Sequence, residues 1–193
     1  MKKLSIIVML LLLTACSSGQ GGVAQPAAKQ QEKAASTALE AFLGKRGQMI
    51  MKEFYDLGAI ASLGRTELKA IVISEPNSAH KIKGLKVEVQ ESGRLERSNS
   101  SFIDLDELES LSQALAYMAD AAQKWTADGR APYTEIIFTS KGELQVGFYE
   151  SGKDVSAFCR SGSIGAATAY FNVREMPKLK GFVDQAITLL KSK

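Results

Sequence analysis

The residues that most enzymes and metal proteins rely on are scarce in this chain. One histidine and two cysteines occur in 193 residues. His80 lies in the polar connection Pro76-Asn77-Ser78-Ala79-His80-Lys81 and is expected to be exposed. Alone it cannot form a histidine cluster for a metal or complete a triad. A cysteine nucleophile needs a base within hydrogen-bond reach, and Cys159 has no evident one. Long apolar runs are missing too: residues 4–13 are too few to cross a bilayer permanently, which takes about 20. No sign of charge dominates, with 24 Lys and Arg against 21 Asp and Glu. Interspersed charge near neutrality argues against nucleic-acid binding that rests on phosphate neutralisation. No recognisable triad remains, so an enzyme reading is disfavoured and no cofactor is expected.

What is present begins at the amino end. Lys2 and Lys3 form a positive start, an apolar run follows, and small residues lead into a cysteine, which is the layout of an export leader. Leu13-Thr14-Ala15-Cys16 resembles the lipobox of bacterial lipoproteins. The resemblance implies that the Cys16 thiol takes a diacylglyceryl group, that residues 1–15 are removed as a signal peptide, and that the new amine is often acylated. Removal leaves 178 residues and lowers the side-chain charge from +3 to +1, because the leader carries two lysines and no acid. Each buried methylene contributes roughly 0.8 kcal/mol, so two or three acyl chains hold the membrane firmly where one is marginal. Ser17, where aspartate would retain the protein, resembles the pattern exported to the outer membrane. The expected location is therefore the bacterial envelope, lipid-anchored at the outer membrane and facing the periplasm, or the outer leaflet if there is one membrane. Cys159 is then the sole free thiol, with no internal disulfide, and is expected to be buried.

Residues 16–31 read as a flexible tether, with no strong apolar residue after Cys16 except Val23. Residues 32–47 read as an N-terminal helix with Ala35, Leu39, Phe42 and Leu43 on its apolar side and Gly44 and Gly47 at its end. From residue 48 to 193 a single α/β domain is expected. Its period changes to two, predicting strands at 50–60, 67–74, 85–90 and 98–103, with turns at Gly64-Arg65, Glu75-Pro76-Asn77 and Glu91-Ser92-Gly93. Leu85, Val87 and Val89 alternate with Lys86, Glu88 and Gln90, the pattern of a strand covered on one face. Leu105, Leu108, Leu111, Leu115, Met118, Ala122 and Trp125 recur at helical spacing, with Asp104 and Glu107 placed for a capping box. Asp104, Asp106, Glu107 and Glu109 crowd that helix start, which accounts for them through the helix dipole without a metal.

The order then repeats, with strands predicted at 133–139, 144–150, 155–160 and 168–171 and a helix over 173–190. Pro177 is awkward in the first turn and suggests that the regular helix begins close to it. An offset of 68 relates Phe102-Ile103-Asp104-Leu105 to Tyr170-Phe171-Asn172-Val173, and Thr66-Glu67 to Thr134-Glu135. The two repeats would be 48–128 and 129–193. The fold class is α+β: a mainly antiparallel system of six to eight strands with two long helices on one side, a possible tandem β-β-β-β-α repeat.

The stretches from Gly84 to Val89, Gly93 to Arg97 and Ser101 to Leu111, with the later Ser161-Gly162-Ser163-Ile164-Gly165, resemble a group of exported bacterial proteins of uncharacterised function. No catalytic role carries over. The order of four strands then a helix, twice, is also similar to single-strand nucleic-acid binders of the whirly and PUR type, a likeness of topology that does not transfer function. Gly162 and Gly165 are expected to shape a turn. Arg94, Arg97 and Arg160 are candidates for an anion site if their strands adjoin, and Tyr117, Trp125 and Tyr133 are expected in the core or at a seam. The leading functional expectation is a binding or structural module for a protein or envelope polymer. The alternative is a periplasmic carrier or sensor of a small ligand, which would need a closed apolar pocket. The expected partners are the membrane, through Cys16, and an envelope component; nucleic acid is not among them.

Overall fold

The computed structural model describes residues 35–94, 96–125, 133–152 and 154–193. The expected leader, Cys16, the tether and the start of the N-terminal helix lie outside them. Strands β1 (Met51–Ser62), β2 (Gly64–Ser74), β3 (Lys81–Glu91) and β4 (Arg97–Asp104) pair in sequence order as one antiparallel sheet. Strands β5 (Tyr133–Thr139), β6 (Leu144–Ser151), β7 (Asp154–Ser161) and β8 (Ala167–Phe171) form a second in the same way. Preceding them is a short helix, α1 (Ala38–Leu43), while α2 (Leu108–Trp125) and α3 (Met176–Lys191) each follow a sheet. The protein is thus an α+β fold of two four-stranded sheets with two long helices packed against them. The simplest sequence reading, one sheet system, resolves into two sheets that meet at a bridge between Leu63 and Tyr170, with N···O distances of 3.1 and 2.8 Å.

Period-two burial explains the strands. In β3, Leu85, Val87 and Val89 are buried, while Lys86 and Glu88 stay partly in water. β2 departs from alternation over Ala70-Ile71-Val72-Ile73, where every residue is buried. The reason is α1, whose Leu39 and Phe42 cover Ile71 and Ile73 from the outer side of the first sheet. That sheet is therefore covered on both faces at one end, against the expectation of one. The inner faces of both sheets share a single hydrophobic core with α2 and α3.

The helices are exchanged between the halves. α2 contacts β5 and β6, with the Trp125 and Phe148 ring centroids 4.8 Å apart, whereas α3 contacts β1, β2 and β3, with Phe182 over Gly58. The helices also pack on each other, and Ser112 donates to the Asp184 carboxylate at 2.5 Å. Each half thus buries its sheet with the other half's helix, which makes the two a single unit. Among the described residues no helix is long and apolar enough to cross a membrane.

Pairing resolves the register of the repeat. Ile103 and Phe171 correspond at an offset of 68, Leu85 and Ala157 at 72, Ala70 and Phe148 at 78, and Tyr55 and Ile136 at 81. The offset of 68 holds from β4 and β8 into the helices, then drifts because the hairpins of the second half are shorter. Thr66-Glu67 lies on β2 and Thr134-Glu135 on β5, so that correspondence is overturned. Gly64 and Arg65, expected in a turn, open β2.

Several helix starts differ from expectation. α1 is six residues rather than the expected 32–47, because Thr37 and Glu40 close a capping box and Gly44 ends it. Asp104 makes no cap to its own helix. Its carboxylate instead accepts the Ala38 and Leu39 amides at 2.7 and 3.1 Å, tying α1 to the end of β4. Glu107 accepts the Lys141 amide at 3.0 Å. Leu105–Glu107 and Val173–Glu175 are 3-10 turns, so the α-helices begin at Leu108 and Met176. Pro177 then sits in the first turn of α3, where it costs no internal bond.

Candidate functional site

With one face of each strand in the core, the other is decided by what the sequence places at alternate positions. On the first sheet this outer face is ionic away from α1. Lys86 meets Glu88 at 2.8 Å, and Lys69 meets Glu67 at 2.9 Å and Asp56 at 3.2 Å. The hydrogen bond from Lys69 holds the Glu67 carboxyl below its ordinary pKa against the opposing effect of burial, and Lys86 does the same for Glu88. Such exposed pairs contribute little stability and describe a solvated surface.

The outer face of the second sheet is different. Each of its strands places one aromatic residue outward: Tyr133 on β5, Tyr149 on β6, Phe158 on β7 and Tyr170 on β8. Tyr149 is opposite Glu135 and Ser156, and Phe158 is opposite Tyr170, so the rings meet diagonally and across the ladder. Tyr133 stacks on Tyr149 with centroids 5.8 Å apart, and Tyr149 reaches Phe158 and Tyr170 at 6.4 Å each. Phe158 and Tyr170 close the cluster at 6.5 Å. These separations fall in the range where aromatic pairs attract beyond their area. Gly147 makes room for the central ring, since a Cβ there would lie 3.0 Å from Phe158.

The cluster is open. Tyr133 is 54% exposed and Tyr170 41%, while Phe158 is buried beneath its neighbours. Exposed Leu63, bridged to Tyr170, and exposed Ile137 on β5 extend the apolar surface. The Tyr133 hydroxyl donates to Glu135 at 2.7 Å, and this bond, with some burial, raises its pKa. Contiguous exposed apolar surface of this kind marks interaction sites in soluble domains. Chemically it offers ring faces, tyrosine hydroxyls and one cation, Arg160, two residues along β7 from Phe158.

The sequence candidates fall in different places. Arg160 lies exposed on this face, while Arg94 is in the β3–β4 turn and Arg97 at the start of β4, where Glu91 takes its guanidinium at 2.8 Å. Arg97 is thereby already paired, and the second sheet rather than the first carries Arg160. Tyr133 and Tyr117, expected in the core or at a seam, are both exposed, Tyr117 on the outside of α2; Trp125 is buried. Tyr133 is exposed because it begins an edge strand, and Tyr117 because it falls off the buried stripe of its helix. Tyr149, Phe158 and Tyr170 were not among the candidates. They alternate with Phe148, Ala157 and Ala169, which separates two faces without saying which is inward, and their convergence depends on register.

Cys159 is fully buried, and burial pushes its thiol up to about 12. The Thr66 side chain opposes this rise, and Thr66 Oγ1 is itself buried without a hydrogen-bond partner among the described residues. A thiol so held is no nucleophile near neutral pH. His80 is exposed and its backbone amide bonds to Ser78. Gly162 and Gly165 take positive φ in the β7–β8 turn, and the Ser163 amide is held by Glu143 at 3.1 Å, so this loop is not free to cradle an anion. The four acids near α2 are engaged within the fold: Asp104 holds α1, Asp106 and Glu107 meet the ammonium and the amide of Lys141, and Glu109 meets Lys191. Between α2, α3 and the sheets, the void lined by Leu111, Val146, Cys159 and Val183 measures about 10 Å³. Comparison of the chain with protein-family models, with curated proteins and with solved structures gives no match.

Proposed function

We propose that this chain is a lipid-anchored protein of the bacterial envelope, held through acyl chains on Cys16, and that it acts as a docking module for a protein or envelope polymer. The observation that carries the docking half is the uncovered cluster of Tyr133, Tyr149, Phe158 and Tyr170 on the outer face of the second sheet. Tyr133 and Tyr170 expose their rings to water around the half-buried Tyr149 and buried Phe158, and an exposed apolar patch of this kind marks an interaction surface. The equivalent face of the first sheet carries α1 and paired charges instead. The anchoring half rests on the Leu13-Thr14-Ala15-Cys16 motif.

The carrier alternative finds less support. Small-ligand sites occupy roughly 300–1,000 Å³ and enclose most of the ligand. The enclosed void at the centre of the core holds about 10 Å³, and the hollow of about 630 Å³ beside Ala122, Val155 and Arg174 lies half open to solvent. Catalysis by Cys159 is disfavoured by its burial and the thiol's high pKa.

Each half has its own test. Cys16→Ser is expected to block lipid-dependent cleavage and release the protein from the membrane fraction; unchanged retention refutes the anchor. For docking, the anchored protein is extracted in mild detergent alongside Tyr133→Ser and Tyr170→Ser variants. A polypeptide or glycan held by the wild type and lost from both variants supports the reading. Equal recovery from all three refutes it.

A further inference from the structure

The pairing register says which residues of the second sheet stand where α1 sits on the first. Tyr149 takes the place of Ile71, Ser151 that of Ile73, Ser156 that of Gly84 and Tyr170 that of Phe102. On the first sheet that position is filled: Leu39 and Phe42 of α1 lie buried on Ile71 and Ile73, with Ile82 and Phe102 packed alongside. A single helix of six residues with two apolar anchors is enough to cover it. On the second sheet the same position holds the half-buried Tyr149 and the exposed Tyr170, and α2 and α3 are engaged elsewhere in the core.

We infer that the outer face of the second sheet receives a short amphipathic helix from a partner polypeptide, seated on Tyr149 and Tyr170 as α1 is seated on Ile71 and Phe102. This inference rests on the docking reading above and names its occupant. The differences between the two faces describe that helix. Gly84 lets Leu39 come close to the backbone, since a Cβ there would lie 2.6 Å from Leu39 Cδ1. Ser156 in its place raises the floor, so the partner's apolar side chains rest on rings. A helix with apolar residues three or four apart presents them on one side, matching a compact ring cluster rather than an extended groove. Arg160 borders the rings with no ion-pair partner among the described residues, which favours an acid on the flank of the arriving helix.

The test places the photocrosslinking residue p-benzoylphenylalanine at Tyr133 or Tyr170 of the full, lipid-anchored chain in its native host, with Tyr117 on α2 as the control position. Adducts are mapped by mass spectrometry, and a synthetic peptide of the mapped segment is titrated against the purified protein. The expected result is an adduct from both face positions and none from Tyr117. It should map to a segment of another polypeptide whose peptide gains helical circular dichroism on binding. Its Kd should rise at least tenfold for Tyr133→Ser and for Tyr170→Ser, each checked for wild-type unfolding through Trp125 fluorescence. If one variant is unfolded, the other decides. An adduct to a glycan, to another copy of this chain, or to a peptide that binds without becoming helical overturns the helix inference and leaves the docking reading standing. An adduct to lipid or to another segment of the same chain overturns both. No adduct at either face position overturns both.

Discussion

Ser101 on β4 and Ser161 on β7 join the two sheets through the core. Their hydroxyls lie 2.7 Å apart with both residues buried, so one donates and the other accepts. Ser161→Ala leaves the Ser101 hydroxyl without its partner where water cannot replace it, at a cost of about 1–3 kcal/mol; Ser101→Ala does the same in reverse. Removing both hydroxyls removes both demands, so the double variant should lie within about 1 kcal/mol of wild type. The repeat supports this, because the register counterparts of Ser101 and Ser161 are Ala169 and Val89, which are buried and apolar. The two single losses sum to about 2–6 kcal/mol, so the double variant is expected to be more stable than that sum by at least about 1 kcal/mol. Urea unfolding followed by fluorescence of Trp125, the sole tryptophan, measures all four corners of the cycle. Each kcal/mol lost should lower the melting temperature by about 2–4 °C for a domain of this size. Losses that simply add would mean that the two hydroxyls do not depend on each other, and the seam between the sheets would have to be reconsidered.

Leu111 is fully buried beside Leu68 and Val87, and Leu111→Ala should cost roughly 2–5 kcal/mol; a variant melting like wild type would refute its place in the core. Cys159 should resist thiol reagents in the native protein and react fully in urea, so rapid labelling without denaturant would contradict its burial. Burial raises the Asp184 carboxyl, but hydrogen bonds from Lys180 at 2.6 Å and Ser112 outweigh it and leave the pKa below the ordinary aspartate value. A carboxyl depressed by folding stabilises the protein above its unfolded value, and that contribution is lost as pH falls through the folded one. Asp184→Asn should therefore be less stable than wild type near neutrality, with the gap closing in acid below the usual aspartate range. A gap that widens on acidification in pH-dependent unfolding would refute this.

Much of the fold was legible because burial has a period. Alternation in Leu85-Lys86-Val87-Glu88-Val89 and spacing by three and four from Leu108 to Trp125 report one face of one element, and each needs only that element's own residues. That placed the eight strands and both long helices near their observed bounds and ordered them as four strands and a helix, twice.

Relations between elements were not legible, because nothing local encodes them. Asp104 and Glu107 have the spacing of a capping box, yet Asp104 serves the amides of α1, more than sixty residues earlier, because β4 ends beside that helix. The exchange of α2 and α3 between sheets leaves no mark on either helix, since an apolar stripe does not name the surface that covers it. Convergence of four rings from four strands is fixed by hairpin length and register, which shift by several residues between the halves. The sequence by itself determined the elements, the buried faces and, through the motif at Cys16, the expected anchor. Tertiary structure alone decided the two sheets, the exchanged helices and the aromatic face, because pairing and packing join residues whose separation along the chain carries no periodic signal.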